Sequence, residues 1–101
     1  MCLVDRDFRY IWLNDALGEM LGRDVDELIG ESFMSVSHEA DAEVDLRLSQ
    51  RLFAGEIDHF NMRKRYIKDD GSVVVADLIA CAVVDEDGVA RSGFASLVPV
   101  A

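Results

Sequence analysis

This 101-residue chain is short of three things: cysteine, with two residues; proline, with one; and positive charge, with ten Lys and Arg against twenty Asp and Glu. Cys2 and Cys81 lie far apart in the sequence and belong to no Cys-x-x-Cys pair or Cys/His cluster. That pattern excludes a disulfide scaffold and a zinc site, and it fits two free thiols in a reducing compartment. Pro99 stands almost at the end, where a strand terminus or an edge strand tolerates it. The formal charge of -10 repels phosphate backbones and anionic lipid surfaces, so nucleic acid and membrane surfaces are excluded as partners. No apolar run approaches the ~20 residues of a membrane-spanning helix, and the opening residues lack a signal-peptide pattern. A cytoplasmic domain without membrane contact is therefore expected.

Half of the residues are hydrophobic and 30% are charged, the balance of a folded globular chain, and the length is that of one domain over residues 1–101. "MCLVDRDFRYIWLN" reads as two short strands around a turn at Arg6-Asp7, rich in aromatic and β-branched residues. Asn14 has the character of a helix N-cap, and Gly22 that of the stop. A second short helix starts at Asp24, with Glu27 in capping-box position, and a further turn of helix is expected around Ser32 to Val36. The longest helix follows, with Ser37 as its expected cap and Gly55 as its end. Its apolar face is read from Val44, Leu48, Leu52 and Phe53. The acids at 39, 41, 43 and 45 read as a solvated helix start, in the charge order that the helix dipole favours.

After Gly55 the period becomes strand-like. Ile57 to Lys68, Ser72 to Val84 and Val89 to Val100 form three expected strands. Asp70-Gly71 and Asp87-Gly88 join them, each suited to a two-residue hairpin loop, so the strands are antiparallel. The basic residues Arg63, Lys64, Arg65 and Lys68 read as a solvated strand face paired with acids across the sheet, in preference to an anion site. The whole is α+β, with helices on one face of a single antiparallel sheet.

In this order and spacing, "YIWLNDALGEMLG", "DELIGESF", "HEAD", "LFAGEIDHF" and "RYIKDDGSVVV…VVDEDG" resemble the successive landmarks of a PAS domain of bacterial signalling proteins. The resemblance implies a five-stranded antiparallel sheet with helices over its concave face, forming a pocket in many members. It implies sensing or signal relay, with control of an attached effector such as a histidine kinase, diguanylate cyclase or phosphodiesterase through dimerisation or docking. No such effector lies in these 101 residues, and a domain excised from a longer protein is expected.

No cofactor is expected. The flavin photosensors of the family carry Gly-x-Asn-Cys-Arg-Phe-Leu-Gln, whereas the corresponding "GESFMSVSHEAD" lacks the cysteine. Haem needs an axial ligand, and His38 and His59 read as structural. A calcium loop starting at Asp41 places Leu46 and Leu52 where Gly and Glu are required. Ser32, Ser35 and Ser37 near His38 are cap residues, and no catalytic motif is present, so the chain is not read as an enzyme.

By the family pattern, the even positions of the long strand face the helices. The small residues Ala76, Ala80 and Ala82, with Leu78 between them, leave room for a small apolar ligand bounded by Trp12, Phe33, Phe53 and Phe60. Dense packing by those four aromatic residues is the competing expectation. The odd positions Val75, Asp77, Ile79, Cys81 and Val83 face outward and offer only one polar side chain. A partner, with a homodimer expected, accounts for that face.

Overall fold

The computed structural model describes residues 1–100. Strands β1 (Cys2–Val4) and β2 (Tyr10–Leu13) are followed by helices α1 (Asp15–Leu21) and α2 (Val25–Leu28), a 3-10 turn (Phe33–Val36) and helix α3 (Glu39–Phe53). The chain closes with β3 (His59–Ile67), β4 (Val73–Val84) and β5 (Ala90–Pro99). The five strands make one sheet in the order β2-β1-β5-β4-β3, antiparallel at every step. The α+β class and the five-stranded sheet are as the sequence implies.

Local chemistry sets the element ends. The Asn14 carboxamide accepts from the Leu17 amide, and Gly22 closes α1 in the left-handed region at φ 65°. Asp24 caps α2 through the Asp26 amide, and Ser32 caps the 3-10 turn through the Met34 amide. The cap of α3 is His38, whose Nδ1 accepts from the Ala40 amide, and not Ser37. Ser37 is buried and donates back to the Phe33 carbonyl at 2.6 Å.

Both Asp-Gly pairs lie in hairpin turns, but the loops have three residues instead of two. The Lys68 amide donates to Ser72 and the Gly71 amide to Lys68, and Asp85, Val89 and Gly88 repeat the pattern. Gly71 (φ 86°) and Gly88 (φ 77°) take the left-handed position while the aspartates do not. In the first turn the Asp70 carboxylate accepts from the Ser72 amide, and in the second Asp85, two residues before Asp87, accepts from the Asp87 and Val89 amides. A two-residue loop of the mirror type requires positive φ at the aspartate as well, so the side-chain bonds select the three-residue form.

Alternation gives the sheet two distinct faces. On the inner face Leu13, Cys2, Ala95, Ala80 and Phe60 run in register across all five strands. The fully buried Leu21 and Val36 pack over this face from the helices. The α3 stripe differs from the one read from sequence: Val44 is 47% exposed, and Ala42, Asp45, Ser49 and Leu52 are the buried positions.

The start of α3 is tied to the edge strand. The His38 amide donates to the Arg65 carbonyl, and the Asp41 carboxylate accepts from the Arg65 amide at 2.7 Å and from its guanidinium at 2.9 Å. An edge amide that has no neighbouring strand is thereby paired. The hydrogen bond from Arg65 is the main cause that lowers the Asp41 carboxyl from 3.8 to about 2. A lowered folded-state pKa stabilises above the unfolded value, and the contribution is lost as pH falls from about 3.8 through about 2. Asp41→Asn is therefore expected to flatten the acid limb of the urea-unfolding profile in that window while changing little at pH 7 relative to pH 5. An unchanged acid limb in the variant refutes this role.

Candidate functional site

A cavity of about 40 Å³ lies between α3 and the inner sheet face. One end is apolar, formed by Leu52, Phe60, Leu78 and Ala80. The other end is charged. Lys64, on β3, and Asp45, on α3, form an ion pair with side chains only 1% and 6% exposed. Ser49, one helical turn after Asp45, donates to the second carboxylate oxygen at 3.0 Å. The Lys64 ammonium also lies over the Phe33 ring at 4.7 Å and over the Tyr66 ring at 4.6 Å, two cation–π contacts in a desolvated setting.

This geometry follows from two periodicities. Phe60, Met62, Lys64 and Tyr66 share one side of β3, so a lysine stands in an apolar row. Ala76 is its direct partner on β4, and the small side chain leaves room for the lysine stem. Asp45 and Ser49 are four residues apart on α3, with Leu52 a further turn on, so one helix face presents a carboxylate and a hydroxyl to the lysine.

Burial pushes the Lys64 ammonium below its usual pKa, and the Asp45 charge opposes that shift. Burial also raises the Cys2 thiol to about 11 and both the Tyr10 and Tyr66 phenols well above the usual value. All three groups are neutral at pH 7. The site thus holds one buried cation, one buried anion and otherwise uncharged walls.

Of the residues proposed from sequence, Phe33, Phe53, Phe60, Leu78 and Ala80 surround the cavity. Three do not. Trp12 is 44% exposed, because Leu13, and not its neighbour Trp12, shares the inner row with Cys2. Ala76 is fully buried in the core beside Lys64. Ala82 opens instead onto a solvent-facing groove of about 530 Å³ at the end of α3, lined also by Leu52, Phe53 and Arg6. The sequence reading missed Lys64, Asp45, Ser49, Tyr10, Tyr66 and Cys2. Strand alternation carried the signal for Lys64, which lies at even spacing from Phe60 and Tyr66.

Phe8 is also a finding of the structure. It is the one non-glycine residue at positive φ among those described, at 63°. Its ring meets Phe33 and Phe53 edge-on, with centroids 5.8 and 5.5 Å apart, and so bridges the two ends of the cavity wall.

The outer face carries Trp12, Leu3, Phe94 and Cys81 in one continuous row, ending at the exposed His59. Ile79 and Val83, both exposed, flank it, and half-buried Val75 lies further along β4. Asp77 is tied to Arg63 by two bonds of 2.9 and 3.2 Å. Among the described residues no group of His, Cys, Asp and Glu is placed to hold a metal ion, and no helix is long and apolar enough to cross a membrane.

The ion pair makes a clear demand on stability. Lys64→Met leaves the Asp45 carboxylate buried without its partner, and about 3–5 kcal/mol of loss is expected in urea unfolding. Combining it with Asp45→Leu removes both charges and is expected to recover most of that loss. Equal losses in the single and double variants refute the pairing as the source of the effect.

A PAS fold family profile matches residues 1–97. The probable diguanylate cyclase DgcE of Escherichia coli K12 is 35% identical over 88 residues, covering 87% of this chain and 8% of that protein. The PAS-B domain of Drosophila melanogaster Cycle with bound ethylene glycol superposes with a TM-score of 0.86 at 12% identity, covering 98% of this chain and 97% of that one. A PAS domain from a two-component sensor histidine kinase gives 0.76 at 13% identity, covering 98% and 82%. With the sheet, helix order and profile in agreement over nearly the whole length, the chain belongs to the PAS family.

Proposed function

We propose that this PAS domain is the sensory and signal-relay unit of a larger bacterial signalling protein, and that it controls an attached effector through the outer face of its sheet. The reading is carried by the apolar outer row of Trp12, Leu3, Phe94 and Cys81, with Ile79 and Val83 beside it. A solvated antiparallel sheet alternates to polar residues on its outer side; β3 does so at His59, Asn61, Arg63 and Arg65, whereas β4 does so only at Asp77. Covering each large apolar side chain gains about 1.5–3 kcal/mol, enough in sum to hold a partner.

A diguanylate cyclase is the favoured effector class, because the relative from Escherichia coli carries a similar segment in a chain more than ten times the matched length. A histidine kinase or a phosphodiesterase is the alternative. The domain itself performs no chemistry in this reading. The first occupant of the outer face is a second copy of the domain, in a symmetric dimer.

Sedimentation velocity tests this. The domain is expected to dimerise at tens to hundreds of micromolar, and Ile79→Asp, which puts a charge into the apolar face, is expected to be monomeric with an unchanged unfolding midpoint. A wild-type domain that stays monomeric at several hundred micromolar overturns the dimer.

A second reading, that the domain is a small-molecule receptor, is supported by the cavity and its buried polar end. Occupation of the cavity then alters the outer face through the sheet.

A further inference from the structure

The geometry points to a specific ligand class for the cavity: a compact, uncharged molecule with a head that both donates and accepts hydrogen bonds, on a short apolar stem. Short-chain alcohols and carboxamides have this chemistry. The Lys64–Asp45 pair is the recognition element. This inference rests on the receptor reading above and adds the ligand to it.

Charge is the first argument. Lys64 and Asp45 neutralise each other inside the protein, and the other titratable groups lining the cavity, Cys2, Tyr10 and Tyr66, are held neutral by burial. A carboxylate or ammonium entering the cavity brings a charge that no group there can balance. An uncompensated charge in a desolvated interior is strongly disfavoured. A neutral guest avoids that cost.

Hydrogen-bonding capacity is the second. The Lys64 ammonium has three N–H donors, of which Asp45 takes one; the rings of Phe33 and Tyr66, 4.7 and 4.6 Å away, are weak acceptors that leave the others to a stronger one. The Asp45 carboxylate receives Lys64 and Ser49 and retains lone pairs. A hydroxyl or amide head accepts from the lysine and donates to the aspartate at once. An apolar gas or hydrocarbon uses neither group, and a pure acceptor uses only one.

Size and shape are the third. A buried water needs about 10–15 Å³, so a cavity of about 40 Å³ accepts about three or four non-hydrogen atoms without rearrangement. The stem of such a ligand lies against Leu52, Phe60, Leu78 and Ala80, opposite the charged end. Ala80 is the small residue that keeps this end open.

The route in passes Phe53. Its side chain and that of Leu52 line both the cavity and the solvent-facing groove, so the two together form the wall between them. Phe53 is the last residue of α3 and packs over Gly93, where an added Cβ would touch the ring at 3.5 Å.

The test uses four probes of about four non-hydrogen atoms each, the size the cavity accepts, at pH 7: 1-propanol, acetamide, acetate and propylammonium. Each is titrated into the ¹⁵N-labelled 101-residue chain, with the amides of Ser49, Lys64 and Leu78 as reporters. The two neutral probes are expected to give saturable shifts with millimolar Kd, the range ligand efficiency sets for so few atoms. The two ions are expected to bind at least about tenfold more weakly. Ala80→Leu, or Ala80→Val where leucine overfills the space, is expected to abolish the saturable shifts in a folded protein. The double variant Asp45→Leu with Lys64→Met keeps the volume, removes the polar end and is expected to weaken the neutral probes by at least about tenfold. An ion that binds as tightly as the alcohol overturns the ligand class and leaves the receptor reading standing. Neutral binding unchanged in the double variant overturns the role of the ion pair. If no probe gives saturable shifts at these amides, the ligand class and the receptor reading both fall.

Discussion

The buried ion pair between Lys64 and Asp45 constrains everything that surrounds it. Two charges removed from water gain stability only when geometry and secondary hydrogen bonds compensate their desolvation. Each neighbour does part of that work: Ser49 bonds the second carboxylate oxygen, Phe33 and Tyr66 place ring faces against the ammonium, and Ala76 leaves space for the stem. The pair also fixes the rotation of α3. If α3 turned so that Val44 faced the sheet, Asp45 would leave Lys64 unpaired in an apolar interior. The helix therefore exposes a valine in order to bury an aspartate.

A second tie acts at the N-terminal end of the same helix. Asp41 holds the Arg65 amide and guanidinium, one residue along β3 from Lys64. Lys64 and Arg65 point to opposite faces of the strand, and Asp41 and Asp45 lie one helical turn apart. The helix is thus fastened to the edge strand at two successive turns, once in the interior and once at the surface. These bonds have direction, which the apolar contacts of the C-terminal half lack. Motion of α3 relative to the sheet is therefore easier at the Phe53 end, where the groove and the cavity meet.

Much of the fold was legible in the sequence because it depends on near neighbours. The caps at Asn14, Asp24 and Ser32, the glycine at 22 and the alternation along β4 follow from local chemistry. The errors came where distant groups decide. The α3 stripe was misread because Val44 looks like core and Asp45 like surface until Lys64 is placed opposite. Lys64 itself was read as solvated with its basic neighbours, although its spacing from Phe60 and Tyr66 puts it inside. Trp12 was assigned to the pocket for its size, yet the register of β2 against β1 turns it outward. The hairpin loops were read one residue short because only the glycines take positive φ, while side-chain bonds of Asp70 and Asp85 hold the longer turns.

The two faces of the sheet are joined most directly through β4. Ala80 lines the cavity, and its chain neighbours Ile79 and Cys81 stand on the outer face. Successive residues of a strand project to opposite sides, so nothing but the backbone separates a guest against Ala80 from a partner against Cys81. The strand lies inside the sheet, hydrogen-bonded to β3 on one side and β5 on the other, and cannot yield by fraying. A displacement at Ala80 must pass to the neighbouring strands as a change of twist or register spacing. Phe60 and Ala95, which flank Ala80 in register, move with it, as do their outward neighbours His59 and Phe94. The outer row of Trp12, Leu3, Phe94 and Cys81 therefore adjoins the cavity row directly. Under the proposed receptor reading, that adjacency is the physical means by which occupancy inside would become shape outside.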